Sequence, residues 1–356
     1  MNGKEAAKRK PRSGSVVLKL GYKLSKEQSN LSDQIVVNYK NNIDTLVNAV
    51  CGAGKTELVY AIIAHCLSNR KTVAFAVPRR DVVIELTHRI RDAFPNNFVV
   101  SIYGGHTEKL EGDIVVLTTH QLYRYDKYFD LIILDEIDAF PFKNNKLLSQ
   151  MFFRAVRGHI VMMSATPSSD VIDFFSQKNR AILELNTRFH KHPLPVPEVV
   201  IKIGYFKILY LIQKLKEYKQ KGKKVFVFAP TIARCEFLYK ILKILVKNGT
   251  FLHSHCKDRT QKIKDFKEGK YDYLVTTAVL ERGVTFKDLQ VVIYDADNEI
   301  YDSQALIQIS GRVGRKIDAP EGEVIFLVNK ETDEIRKAIN TIRDKNRHLQ
   351  DMLQTH

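Results

Sequence analysis

Three short stretches hold residues that could do chemistry together. The first is Ala49-Val-Cys-Gly-Ala-Gly-Lys-Thr56. Gly52 and Gly54 let a turn approach phosphate oxygens at dihedrals that side chains disfavour. The segment Ala49, Val50, Cys51, Gly52, Ala53, Gly54 would wrap a polyphosphate, Lys55 would reach its β- and γ-phosphates, and the Thr56 hydroxyl would ligate Mg²⁺. The first glycine of the usual pattern is replaced by Ala49. The second stretch is Asp135-Glu-Ile-Asp138, entered through Leu131-Ile-Ile-Leu134. Asp135 would hold Mg²⁺ directly or through water, and Glu136 would orient and deprotonate an attacking water. The third is Gln308-Ile-Ser-Gly-Arg-Val-Gly-Arg315. An arginine aimed at a departing γ-phosphate is worth ~10³–10⁵ in rate. Arg312 and Arg315 are the candidates, Gly311 and Gly314 allow close approach, and Gln308 would touch the γ-phosphate or the water. Together these residue types describe an NTPase.

The elements that must position them follow from periodicity. Leu46 to Val50 reads as a strand entering the glycine loop, and Leu58, Ile62, Ile63, Cys66 and Leu67 as the helix leaving it, whose N-terminus would point N–H groups at the phosphates. Further strands are expected at Lys71–Val77, Phe98–Tyr103, Asp113–Leu117, Tyr128–Leu134 and His159–Met163. They alternate with helices, which indicates a parallel sheet with crossovers. Ligands of such sheets gather at the C-terminal strand ends, where these polar residues fall. Ser164-Ala-Thr-Pro167 is one such turn, suited to sensing the γ-phosphate. Upstream, Ser25 and Gln28 fit a capping box; Gln28 is alternatively a reader of adenine. Past the middle the pattern restarts, with a helix over 208–218, strands at Lys224–Ala229, Tyr271–Val275, Val291–Tyr294 and Glu323–Val328, and a closing helix through Ile335 to Leu353. The second half has no phosphate loop of its own. The expected organisation is a basic tail over 1–20, a first α/β domain over 21–187, a linker over 188–200 containing three prolines, and a second α/β domain over 201–356.

Composition narrows the partner. At 356 residues two cored domains are expected. The 56 Lys and Arg against 40 Asp and Glu leave a formal charge of +16, which favours a polyanion, with nucleic acid ahead of an acidic membrane surface. No apolar run reaches ~18 residues, so no membrane span is expected, and the basic start from Met1 to Ser15 lacks the apolar core of a signal peptide. Cys51, Cys66, Cys235 and Cys256 are scattered without a C-x-x-C pair, so neither zinc ribbon nor disulfide framework follows from spacing. They read as reduced thiols, and no zinc is expected. Tyr103, Tyr123 and Tyr125 are candidates for base stacking, against the plainer reading of core or rim tyrosines.

Gly52-Ala-Gly-Lys-Thr56, Asp135-Glu-Ile-Asp138, Ser164-Ala-Thr166 and Gln308-x-x-Gly-Arg-x-Gly-Arg315, in this order, resemble the motifs of superfamily 2 helicases. The resemblance covers residues 20 to 330. It implies two tandem RecA-like domains with parallel sheets and an ATP cleft between them. It also implies that residues like Val77-Pro-Arg79-Arg80, Gly104-Gly105, Thr118-Thr119 and Thr276-Thr277 line a nucleic-acid track. Gly283, after Glu281-Arg282, matches the motif that links track and nucleotide. Within the superfamily, Ala49-Val-Cys-Gly-Ala-Gly-Lys-Thr-Glu57 and Leu134-Asp-Glu-Ile-Asp-Ala-Phe-Pro141 look most like the ComFA family of late-competence ATPases. That likeness implies a cytoplasmic motor at the inner face of the membrane that draws single-stranded DNA inward, with ComFC- and DprA-like proteins and the DNA-uptake channel as partners. The four-cysteine zinc module common in that family is missing from this sequence. The primosomal helicase PriA is a relative, but its additional modules have no counterpart here.

The expectation is therefore an ATP- and Mg²⁺-dependent translocase on single-stranded DNA, with an RNA helicase or a replication-restart helicase as alternatives. A nucleic-acid clamp that binds ATP with little turnover is the non-enzymatic alternative; Glu136, Gln308, Arg312 and Arg315 argue against it. A phosphate-loop kinase is disfavoured, because arginines stand where an acceptor site would be wanted.

Overall fold

The computed structural model describes residues 16–21, 23–50, 52–135, 146–185, 192–277, 286–315 and 318–354. The chain divides into two compact units after Leu185.

The N-terminal unit runs α1 (Lys26–Lys40), β1 (Asp44–Ala49), α2 (Lys55–Leu58), α3 (Tyr60–Ser68), β2 (Val73–Val77), α4 (Arg80–Ala93), β3 (Val99–Tyr103), β4 (His106–Thr107), β5 (Ile114–Thr118), a 3₁₀ turn (Thr119–Arg124), β6 (Phe129–Asp135), α5 (Lys146–Ala155), β7 (Val156–Ser164), α6 (Ser169–Phe175) and β8 (Arg180–Leu185). The strands form one sheet in the order β4-β3-β5-β2-β6-β7-β1-β8. Every neighbouring pair is parallel except β3 and β4, whose Ile102 and Tyr103 face Thr107 and His106 across a turn made by Gly104 and Gly105.

The central strands β2 and β5 are buried on both faces, as a parallel sheet flanked by helices requires. In β2 all five residues are buried: Val73, Phe75 and Val77 join the layer under α1, α3 and α4, while Ala74 and Ala76 join the layer with Phe152 and Phe175 of α5 and α6. The alternation is the period-2 geometry of a strand turned into two cores. α1 opens on the expected capping box: the Ser25 hydroxyl accepts from Gln28 N at 3.2 Å and Gln28 Oε1 accepts from Ser25 N at 2.8 Å. The helix leaving the glycine loop differs from expectation. It breaks at Val59, where the Ser32 hydroxyl donates to the Leu58 carbonyl at 2.7 Å and so competes for a helical acceptor. β8, on the outer side of β1, was not foreseen; Arg180 and Glu184 interrupt its apolar run.

The second unit contains β9 (Glu198–Ile201), α7 (Tyr205–Gln220), β10 (Lys224–Phe228), α8 (Ile232–Leu245), β11 (Gly249–Leu252), α9 (Arg259–Lys267), β12 (Tyr273–Thr276), β13 (Leu289–Tyr294), α10 (Ser303–Ser310), β14 (Val324–Val328) and α11 (Asp333–Gln354). Its sheet, β11-β12-β10-β13-β14-β9, is parallel throughout. Leu211, Leu215, Cys235 and Leu238 of α7 and α8 cover one face; Phe266, Leu306 and Ile335 of α9, α10 and α11 cover the other. The stretch read as a linker ends differently from that reading. Glu198, Val199 and Val200 pair with β14, because the run Val199-Val200-Ile201 is β-branched and finds an open sheet edge. Burial pushes the thiols of Cys66 and Cys235 up to about 11 and about 12, so both stay protonated packing groups.

One charge cluster, buried at Lys207 and Asp295 and open to solvent at Arg234, ties α7 and α8 to the sheet. Asp295, in the left-handed region at φ 55°, accepts from Lys207 Nζ and lies 3.0 Å from Arg234 Nε. Lys207 is only 4% exposed. Removing one partner of such a pair strands a buried charge. Asp295→Asn keeps a side chain that tolerates the left-handed backbone but removes the charge, and is expected to cost about 3 kcal/mol in a denaturant melt. An unchanged midpoint would show that the pair contributes nothing.

Candidate active site

Strand register assembles the first half of the site. β7 lies between β6 and β1, with Asp135 level with Met163 and Asn48 level with Ser164. The loop after β1, the acidic end of β6 and the Ser-Ala-Thr turn after β7 therefore emerge side by side at one sheet edge. The glycine loop leaves β1 through Ala49 and the buried Val50, and Ala53 N donates to Val50 O at 3.1 Å. Gly52 and Gly54 stand at φ 86° and 74°, in the region only glycine enters freely. A Cβ on Gly54 would also lie 2.7 Å from Gln28 Nε2. That glutamine is buried and donates to Ala53 O at 2.7 Å, so the residue that closes the capping box also braces the loop from behind. Its amide oxygen accepts one of these bonds and its amide nitrogen donates the other, and each has capacity for a second.

Lys55 Nζ stands 3.9 Å from Asp135 Oδ1, and both side chains remain part-exposed. Thr56 sits at the start of α2, nearly buried. A lysine point charge, a hydroxyl and a carboxylate around a left-handed glycine turn fit a polyphosphate with a hard divalent cation, whose preferred ligands are oxygens. Thr166 N donates to Ser164 Oγ at 3.0 Å, which fixes the neighbouring turn. Cys51, Glu136 and Gly283 lie outside the described residues. Two residues here were given no role from the sequence: Glu57, buried directly after Thr56, and Arg89 of α4, which donates to it. Glu57 was signalled by its place beside the loop. Arg89 carried no signal, since 32 residues separate it from Glu57.

The candidates for the nucleic-acid track share the same edge on the other side of β6. Val77 is level with Thr118, and Ile102 with Leu117, which gathers the ends of β2, β5 and β3. Arg79 precedes α4 in an extended conformation. The Arg80 guanidinium lies 4.9 Å over the Tyr103 ring, and Tyr103 stacks on His106 at 4.6 Å. Gly105 takes φ 78° in the hairpin turn beside them. Thr118 and Thr119 are buried at this strand end. Tyr123 is half-exposed, but Tyr125 is a core residue, packed on Tyr128 and Phe129 with its hydroxyl donating to Leu110 O at 2.7 Å. The aromatic run that follows it explains the burial.

In the second unit, Phe228 and Leu252 are both level with Thr276, so β10, β11 and β12 end together. Thr276 is fully buried and its hydroxyl donates to Thr277 O at 3.1 Å; Thr277 is buried beside it. His253, at the end of β11, was not singled out in the sequence; its Nε2 lies 3.1 Å from Glu236 Oε1 and its Nδ1 accepts from His255 N. Gln308 is buried near the end of α10. Arg312, on the glycine-interrupted turn, is 2% exposed and the bulkiest fully buried side chain among the described residues. Arg315 is part-exposed, with Nε donating to Gly311 O at 2.9 Å, and Gly314 between them takes φ 66°. Among the described residues no group of three His, Cys, Asp or Glu could hold a metal ion, and no helix is long and apolar enough to cross a membrane.

Comparison with known proteins supplies an independent reading. Residues 21–169 match the model of the Type III restriction enzyme res subunit, and residues 207–316 match that of the helicase conserved C-terminal domain. Competence protein ComFA of Streptococcus pneumoniae is 33% identical over 342 residues, covering 93% of this chain and 79% of its own. Competence protein ComFA of Bacillus subtilis is 32% identical over 342 residues, covering 93% and 74%. UvrABC system protein B of Caldicellulosiruptor bescii is 27% identical over 259 residues, covering 71% and 37%. Among solved structures, S. cerevisiae Dbp5 bound to RNA and ADP BeF3 superposes with a TM-score of 0.68 at 19% identity, covering 91% of this chain and 88% of its own. RecG bound to a three-way DNA junction gives 0.63 at 20%, covering 95% and 47%. At those identities the two structures establish a shared fold.

Proposed function

The chain belongs to the ComFA family of competence proteins, a branch of the superfamily 2 helicases with tandem RecA-like domains, and from that premise we propose that it is an ATP-driven translocase on single-stranded DNA in the uptake of transforming DNA. Its membership makes it an ATP-dependent helicase-type enzyme that uses a divalent metal; the single-stranded DNA track and the direction of the work are the proposal. The observation that carries it is the convergence of the Gly52–Thr56 turn, Lys55 and Asp135 at one sheet edge.

Bound Mg²⁺ would neutralise the β- and γ-phosphate oxygens as charge develops on them. Thr56 and Asp135 are the residues to hold it. Lys55 and the loop N–H groups bind and orient the triphosphate, and Gln28 offers its free amide capacity to the adenine. Glu136, next in the chain to Asp135, takes the proton of the attacking water. Gln308 fixes that water, and Arg312 and Arg315 stabilise the charge on the departing γ-phosphate. Gly283 connects nucleotide and track. Along the track, Arg79, Arg80, Gly104, Gly105, Thr118, Thr119, Thr276 and Thr277 contact phosphates. The threonines contribute together with nearby backbone N–H groups and the arginines through charge, which makes binding sequence-independent. ComFC- and DprA-like proteins and the membrane uptake channel are the proposed partners, with the motor at the inner face of the membrane.

The deciding experiment is the ATPase rate with single-stranded DNA, duplex DNA, single-stranded RNA and no polynucleotide, at fixed salt. Single-stranded DNA is expected to stimulate most. Equal or greater stimulation by RNA would move the protein to the RNA helicases, and tight ATP binding without turnover would make it a clamp. If the track neutralises about three phosphates, raising salt from about 50 to about 200 mM should increase the DNA concentration for half-stimulation roughly ten-fold or more. A salt-independent value would remove the phosphate track.

A further inference from the structure

Glu57 places a carboxylate where a polyphosphate site should not want one. It follows Lys55 and Thr56 directly, its side chain is 9% exposed, and its Oε2 lies 3.6 Å from the point a Cβ on Gly54 would occupy. Negative charge so close to the glycine turn opposes an incoming triphosphate, and a nearly dry position screens that repulsion poorly. Arg89 answers it. From α4 its Nη2 donates to Glu57 Oε1. Burial works against the guanidinium's charge, yet Glu57 together with Tyr60 and Glu85 more than offsets that, and the pKa of Arg89 is raised above its ordinary value. The pair sits at a cavity of about 280 Å³ beside α2, lined also by Lys19, Gly21 and Tyr60.

We propose that Arg89 is a positioning residue of the nucleotide site: it neutralises Glu57 and holds the carboxylate off the glycine turn, so that Lys55 and the loop N–H groups present their full positive potential to a nucleoside polyphosphate. This rests on the assignment of residues 49–56 as the polyphosphate site. The competing account is a plain brace, in which the ion pair merely fastens α2 to α4. The two differ in what they do to ligands of different charge. A brace acts on every nucleotide alike. An electrostatic shield acts in proportion to the phosphates bound.

The test is equilibrium binding of ATP, ADP and AMP to the full chain carrying Arg89→Gln, Glu57→Gln or both, with ATP turnover measured alongside. Arg89→Gln should weaken ATP about ten-fold, ADP less and AMP little, raising KM while kcat at saturating ATP stays within a few-fold. Glu57→Gln should bind ATP at least as tightly as the native chain. The double variant should return to within about two-fold of native, because neither charge is then left unpaired. Equal weakening of all three nucleotides, or a double variant as weak as Arg89→Gln, overturns the shield in favour of the brace. The double variant also guards against misfolding of the single one, since it strands no buried charge. If Lys55→Ala binds ATP as tightly as the native chain, the polyphosphate assignment itself has failed, an outcome distinct from the native-like nucleotide order that would refute Arg89 alone.

Discussion

Lys55→Ala should abolish polynucleotide-stimulated ATP turnover, with a fall in kcat/KM of at least about 10³-fold and little change in thermal stability. Lys55 is a part-exposed point charge, 3.9 Å from Asp135 in this structure, and is not one of the buried apolar side chains that hold the unit together. Its proposed role is to compensate charge on the β- and γ-phosphates, where a preorganised donor is worth about 10²–10³ in rate on its own. Removing it also leaves the Asp135 carboxylate without its nearby cation, so nucleotide affinity falls with the rate. Lys55→Arg should fare little better. A planar guanidinium carries the charge but cannot enter a turn shaped for a single ammonium. Steady-state turnover with single-stranded DNA, together with a thermal melt, checks both variants. Native-like stimulation in Lys55→Ala would sink the assignment of this loop, whatever the family relationship says about the fold.

The parts of this site that could be read in the sequence are those in which function is local. A glycine turn, a lysine and a threonine lie within one loop, and an apolar strand leads straight into Asp135. Each stretch announces itself because the element positioning the residue is its immediate neighbour in the chain. The alternation of buried strands with amphipathic helices was legible for the same reason: β2 is apolar throughout and β6 carries the run Leu131-Ile-Ile-Leu134, which a sheet covered on both faces accommodates. What stayed hidden depends on distant packing. Nothing near Arg89 points to Glu57, and nothing in Thr118, Thr119, Thr276 or Thr277 reveals that all four are buried; the packing around the strand ends decides it. Val59 breaks the loop helix because Ser32, on another helix, takes a carbonyl there. Tyr125 looked like a stacking candidate because the sequence shows an aromatic beside a strand end, but not that Tyr128 and Phe129 would enclose it.

Arg312 and Arg315 make the harder prediction, because burial separates two roles that the motif combines. Arg315→Ala removes a part-exposed side chain whose Nε bond to Gly311 O is local. It should cost turnover steeply, about 10²-fold or more, while the melting temperature stays within a few degrees. Arg312→Ala removes a guanidinium that is 2% exposed. It should cost about 10³-fold in kcat if the charge acts on the departing phosphate, and it should also destabilise its unit by about 2–4 kcal/mol through lost packing and the polar groups left without their donor. The two effects separate experimentally. Arg312→Lys retains charge and most of the stem, so it should recover much of the stability but little of the rate, since a single ammonium does not replace a planar fork. Binding of ATP in the absence of DNA should hold within a few-fold for all three variants, because the arginines are proposed to act on charge that develops during hydrolysis rather than on the bound ground state. Full turnover in both Arg312→Lys and Arg315→Ala would remove the arginines from the chemistry and leave Arg312 as a buried structural cation. Loss of turnover with ATP binding and folding preserved would place them in it.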